Sequence, residues 1–152
     1  MQVDISTQLP CNPRDAIEQV KSSRLLLHVA KPLVTFVPIE PSQLPHTWAD
    51  GTYWVSLRLF GIIPCGKQAV VISYPSSAPF TLRNNGHSAL IQKWDHVITI
   101  VPSGDGTLYR DRVAIDAGVL TPFMWLFAQV FYRHRQRRWR QLVKHGFTYD
   151  KP

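Results

Sequence analysis

Four polar residues sit where apolar neighbours are expected, and their types could do chemistry together. In the stretch 88–101, SALIQKWDHVITIV, counting by two puts Gln92 and His96 on one face with Leu90, Trp94, Ile98 and Ile100. In 107–116, TLYRDRVAID, the same count puts Asp111 with Tyr109, Val113 and Ile115. Further on, Arg135 shares a helical face with Met124, Ala128, Phe131, Tyr132, Trp139, Leu142 and Val143. A histidine beside a carboxylate can move protons or orient a polar ligand, and a buried cation needs a partner. The expected pairing is Arg135 with Asp111, with His96 nearby. Such a helix-to-sheet ion pair also serves as a plain staple of the fold, and a lone histidine on an apolar face is commonly a hydrogen-bonded core residue. A slip of one residue in the first strand would turn Asp95 inward in place of His96.

Other chemistries find no support. The histidines at 28, 46, 87, 96, 134 and 145 form no i, i+4 pair and no Cys/His zinc pattern, so no metal site is expected. His134 and His145 lie three helical turns apart. There is no Gly-x-Ser-x-Gly, P-loop or Gly-x-Gly-x-x-Gly, and no cofactor is expected. Ser103-Gly-Asp-Gly106 is a turn between strands. Cys11 and Cys65 stand apart in sequence, without a neighbouring histidine.

The elements that must position these residues follow from the hydropathy pattern. Residues 2–9 alternate weakly and end at Pro10, a short first strand. Asn12-Pro13 starts a short helix with Ala16, Ile17 and Val20 as its apolar stripe, and Ser22-Ser23 caps a second, SSRLLLHVAK, which Pro32 stops. Strands are then expected at 33–39, 51–60, 67–74, 80–84, 88–101 and 107–116. The turns are read at Pro41, Ile63-Pro64 with Gly66, Pro75-Ser-Ser, Asn84-Asn85-Gly86 and Ser103–Gly106. Such short connections imply antiparallel hairpins. Thr121 as cap and Pro122 at the first position open a final helix to about His145, roughly 36 Å long. Its apolar face must be buried, and the meander is the one surface large enough to receive it.

Composition agrees with one domain spanning 1–152. At 152 residues, 45% of them apolar and 18% charged, disorder is excluded for most of the chain, and folding buries roughly 70% of the extended surface. Of seventeen basic residues, Arg133, Arg135, Arg137, Arg138, Arg140 and Lys144 crowd into twelve positions without an acid. The remaining eleven balance ten acids, so the +7 charge is local and argues against nucleic acid as partner. The run matches a dipole-paired helix end; the alternatives are contact with an anionic membrane surface, an acidic partner or nucleic acid. The apolar stretch 121–132 is too short to span a bilayer, for which ~20 residues are needed. The N-terminus shows neither a basic nor an apolar leader region, and cysteine usage favours a reducing compartment, so a cytoplasmic location is expected.

Strand, two short helices, six-strand meander and long C-terminal helix together resemble the helix-grip, α+β arrangement of the START-like (SRPBCC) superfamily. That superfamily includes polyketide cyclases and dehydrases, birch-pollen allergens and lipid-transfer domains. The text agrees locally: KWDHVITIVPSGDGTLYRDRVAIDAG and LTPFMWLFAQVFYRHRQRRWRQL look like the C-terminal half of bacterial SRPBCC proteins. The resemblance implies a curved antiparallel sheet of about seven strands gripping the last helix. It further implies an internal cavity for a hydrophobic or aromatic, lipid- or polyketide-like small molecule. The residues expected to line it are Trp54, Gln92, Trp94, His96, Tyr109, Asp111, Phe131 and Arg135, with Trp48 and Tyr53 at a wall or entrance. A cyclase, dehydratase or aromatase activity on the same fold is the alternative, and docking through the basic helix end is a further one.

Overall fold

Alternation builds the sheet. In a computed structural model that describes residues 1–149, strand β1 (Gln2–Leu9) buries Val3, Thr7 and Leu9 and turns Gln2, Asp4, Ser6 and Gln8 to solvent. Two helices follow, α1 (Pro13–Val20) and α2 (Ser23–Ala30). Both have the caps their sequences call for. Asn12 Oδ1 accepts from the Asp15 amide at 2.9 Å, and Ser22 Oγ accepts from the Arg24 amide at 3.1 Å.

Six strands come next: β2 (Val34–Glu40), β3 (Gly51–Leu59), β4 (Ile63–Ser77), β5 (Phe80–Ser88), β6 (Lys93–Ser103) and β7 (Gly106–Asp116). They form one curved antiparallel sheet in the order β1-β7-β6-β5-β4-β3-β2. A single 3-10 turn, Gly118–Leu120, leads into α3 (Thr121–Lys144). Thr121 is the first helical residue and not the cap. Its hydroxyl instead donates to Gly118 O at 2.7 Å and accepts from the Ala117 amide at 2.9 Å, fastening the turn before the helix. At the other end Gly146, at φ +65°, lets the Phe147 amide reach back to Leu142 O at 2.9 Å and close the helix.

Three of the expected turns lie inside strands. Residues 84–86, Asn-Asn-Gly, belong to β5, and Ile63-Pro64 and Pro75-Ser-Ser belong to β4. The reversals fall at 60–62, 78–79 and 89–92. Asn84 stays in the ladder because its Oδ1 accepts from the Val71 amide at 2.9 Å, whereas a turn asparagine would direct that oxygen to its own backbone. Gly86 has a packing role. A Cβ there would stand 2.8 Å from Gln68 Nε2 and 2.9 Å from the Ala69 carbonyl.

Two apolar clusters share α3. Its C-terminal half gives Trp139, Leu142 and Val143 to a cluster with α1, α2 and the middle strands. Its N-terminal half gives Ala128, Phe131 and Tyr132 to a cluster with Val3, Val113 and Ile115. Arg135 falls between them. Cys11 and Cys65 are both free, and among the described residues no helix is long and apolar enough to cross a membrane. Replacing Gly86 by alanine should cost about 1–3 kcal/mol in a urea unfolding experiment, because the clash includes backbone that must shift. An unchanged midpoint would mean that the two strands separate freely there.

Candidate functional site

Helix packing leaves a void between those two clusters. It measures about 130 Å³ and touches both halves of the core: Leu25, Val70, Ile72 and Ile98 on one side, Val34 and Phe131 on the other. Half-buried Leu26, Ile91, Met124 and Phe127 complete its wall. Polar groups gather where β6, β7 and the middle of α3 meet: His96, Tyr109, Tyr132 and Arg135 all line the void.

Behind them is Asp111, 1% exposed and off the cavity wall. Its Oδ1 accepts from His96 Nε2 at 2.6 Å and from the Tyr109 hydroxyl at 3.1 Å, while Oδ2 accepts from Gln136 Nε2 at 2.9 Å. The same Gln136 nitrogen reaches Ile5 O of β1 at 3.0 Å. Burial pushes the Asp111 carboxyl up, but donation from His96, the His96 and Arg135 charges and the Gln136 amide outweigh it and hold the group below its usual range. Burial lowers His96 in turn, and the attraction of Asp111 does not make up the difference. An ionised carboxylate only accepts, so it fixes the proton of a neutral His96 on Nε2. Nδ1 is thereby left as a bare base without a hydrogen-bond partner among the described residues.

The expected ion pair between Arg135 and Asp111 is not made. Among the described residues no carboxylate comes within 4.0 Å of Arg135, since all of Asp111's contacts go to other donors. Arg135 is only 8% exposed, and its Nε has no hydrogen-bond partner among the described residues. The guanidinium carbon lies 5.1 Å from the Tyr132 ring centre and 5.7 Å from that of Phe131, within cation–π range. Burial works against its charge, but the nearby oxygens of Tyr109, Tyr132 and Asp111 prevail and keep it cationic. Tyr132 accepts from Trp94 Nε1 at 3.0 Å; burial pushes its own hydroxyl up to about 12.

The other expected positions divide cleanly. Trp94, His96, Tyr109, Phe131 and Arg135 line the void, as does Trp48. Trp54 does not: Tyr53 and Val55 take the inward positions of β3, so Trp54 faces out, 36% exposed, with its ring edge against His87. Gln92 does not either, because β6 begins at Lys93; Gln92 is exposed in the preceding bend, and Leu90 beside it is also exposed. The slipped register is excluded. Asp95 points outward and takes a two-pronged bond from Arg83, with both contacts at 2.8 Å.

Sequence reasoning missed Gln136, and placed Tyr132 on the apolar stripe without assigning it to the site. Gln136 stands four residues after Tyr132 and three before Trp139, so the stripe itself held the signal, but a glutamine reads as solvent-facing. The basic run is divided between interior and surface. Arg135 is inside, Arg138 Nε donates to His28 O at 2.9 Å, and Arg140 Nη1 donates to Thr7 Oγ1 at 2.8 Å.

Two outcomes follow for stability. Asp111→Asn cannot accept from three donors and removes Arg135's nearest counter-charge, so it should cost about 3–5 kcal/mol. Asp95→Asn, in a partly exposed pair, should cost less than about 1 kcal/mol. Equal losses in urea titrations would contradict this ranking. Because His96 sits below its ordinary value of 6.5, the unfolded chain binds a proton that the fold refuses. Stability should therefore fall as pH drops below about 6.5, and further as it passes through the carboxylate range, where Asp111 is also depressed. An NMR titration placing the His96 midpoint above 6.5 would reverse the sign.

No protein-family model matches the sequence, and no curated protein does. Solved structures do match over nearly the whole chain. TTHA0849 from Thermus thermophilus superposes with a TM-score of 0.70 at 10% identity, covering 97% of this chain and 100% of that one. A START superfamily protein from Mycobacterium smegmatis gives 0.63 at 15% identity, covering 95% and 97%. The Aha1 dimer from Colwellia psychrerythraea gives 0.66 at 10% identity, covering 97% and 99%. Identities this low speak for the fold alone. On element order, strand order and these superpositions, the chain has the helix-grip fold of START-like (SRPBCC) proteins.

Proposed function

We propose that this protein takes up a hydrophobic or aromatic small molecule, lipid- or polyketide-like in character, in the cavity between sheet and C-terminal helix. The supporting observation is the void of about 130 Å³, walled by apolar side chains and closed at one end by His96, Tyr109, Tyr132 and Arg135. A cavity of roughly 150 Å³ accepts benzene, so the void is of the order of a single ring. A longer guest needs the half-buried side chains of Met124 and Phe127 to swing aside. Burial then drives uptake at about 25 cal/mol per Å² of apolar surface. Filling the void tests this. Val70→Phe, on the wall opposite α3, should weaken binding of toluene or indole at least tenfold in a calorimetric titration. Native mass spectrometry should show any co-purifying guest lost from the variant. Undiminished binding would remove the cavity as the site.

One feature favours catalysis as a second reading: the Nε2-protonated His96, oriented by Asp111, presents a free Nδ1 beside the void. That is the arrangement of a general base, and a dehydratase or cyclase step begins with such a proton abstraction. On this reading the small molecule recovered from wild type and from His96→Gln should differ, by the mass of one water for a dehydration and in chromatographic retention at equal mass for a cyclisation. Identical mass and retention would favour simple binding.

A further inference from the structure

Arg135 carries more hydrogen-bonding capacity than the protein uses. Among the described residues lining the cavity it is the one permanent cation, it is more than nine-tenths buried, and its Nε donates to nothing. Nearly all buried donors in folded proteins are satisfied, so an orphan of this kind asks what completes it. Asp111 cannot, because its oxygens are held by His96, Tyr109 and Gln136. Asp111 does balance Arg135's charge through space, which lets the empty cavity tolerate a cation. Arg135 lines the void together with apolar side chains, the neutral polar groups of Gln68, Asn84, Tyr109 and Tyr132, and His96.

Resting on the cavity as the ligand site, we propose that Arg135 is an anion-binding group and that the guest is a small aromatic or branched monocarboxylate. A carboxylate matches the guanidinium fork in two parallel hydrogen bonds, and the surrounding apolar wall strengthens them. A phosphate dianion fits worse. A single cation faces it, and the fixed negative charge of Asp111 stands close behind. The volume is that of about one ring, so seating the charged head as well draws on the same movement of Met124 and Phe127 that a longer guest needs. Tyr132 lies against the same guanidinium, its ring centre 5.1 Å from the guanidinium carbon.

Calorimetric titration of the full chain with 4-methylbenzoate, 4-methylbenzamide and toluene tests the proposal. The carboxylate should bind on the order of 10- to 100-fold more tightly than the amide. Arg135→Gln should abolish that preference while toluene still binds. Should that variant fail to fold, Arg135→Lys keeps the charge without the fork and should shrink the preference several-fold. The preference should also survive about 0.5 M salt, because the site is shielded from solvent; surface arginines would lose it. Equal affinity for carboxylate and amide, or a preference that disappears in salt or persists in both variants, would overturn the anion site and leave the cavity standing. No binding of any of the three probes would overturn the cavity as well.

Discussion

A carboxylate withdrawn from water has to be met by donors, and the centre of this protein is arranged around that requirement. Asp111 recruits one donor from β6, one from its own strand and one from α3. It sits in register opposite Ile5 of β1 and Ile98 of β6, so both neighbouring strands are placed with it. Through Gln136 the helix is tied to the carboxylate and to the β1 backbone by one amide nitrogen. The tautomer of His96 and the orphaned Nε of Arg135 are both consequences of how Asp111 distributes its bonds.

The void has an equally physical origin. A helix of 24 residues meets a bent sheet, and large side chains fill the two ends of the contact. Between the clusters, filling would need another bulky apolar residue near the middle of α3. The chain has arginine and glutamine there. Polar residues at that place give up core stability for a solvated or ligand-filled interior, the kind of local departure from good packing that marks functional sites.

Much of this is legible in the amino-acid sequence. Strict alternation in β6 and β7 identifies His96, Tyr109 and Asp111 as inward, and the helical stripe identifies Phe131 and Arg135. Periodicity says which face a residue occupies but not where its strand starts, which is why the count places Gln92 and Leu90 on a face that does not extend to them. Nor does it tell a turn asparagine from one that repairs a ladder, as Asn84 does. The Arg135–Asp111 pairing follows from charge alone. Its failure depends on three competing donors, one of them an uncharged Gln136 that carries no electrostatic signature in the sequence.

The clamp at Gln136 also governs assembly of the molecule in time. Its bond to Ile5 joins residues 131 apart, and the neighbouring Asp4–Arg110 bridge spans 106. Contacts so remote along the chain pay their loop-closure entropy late. The meander can zip hairpin by hairpin, whereas the polar end of the interior comes into being only when the first strand, the last strand and the closing helix meet. The cavity and its polar end are therefore an all-or-nothing property of the completed chain, absent from partly synthesised or partly opened forms.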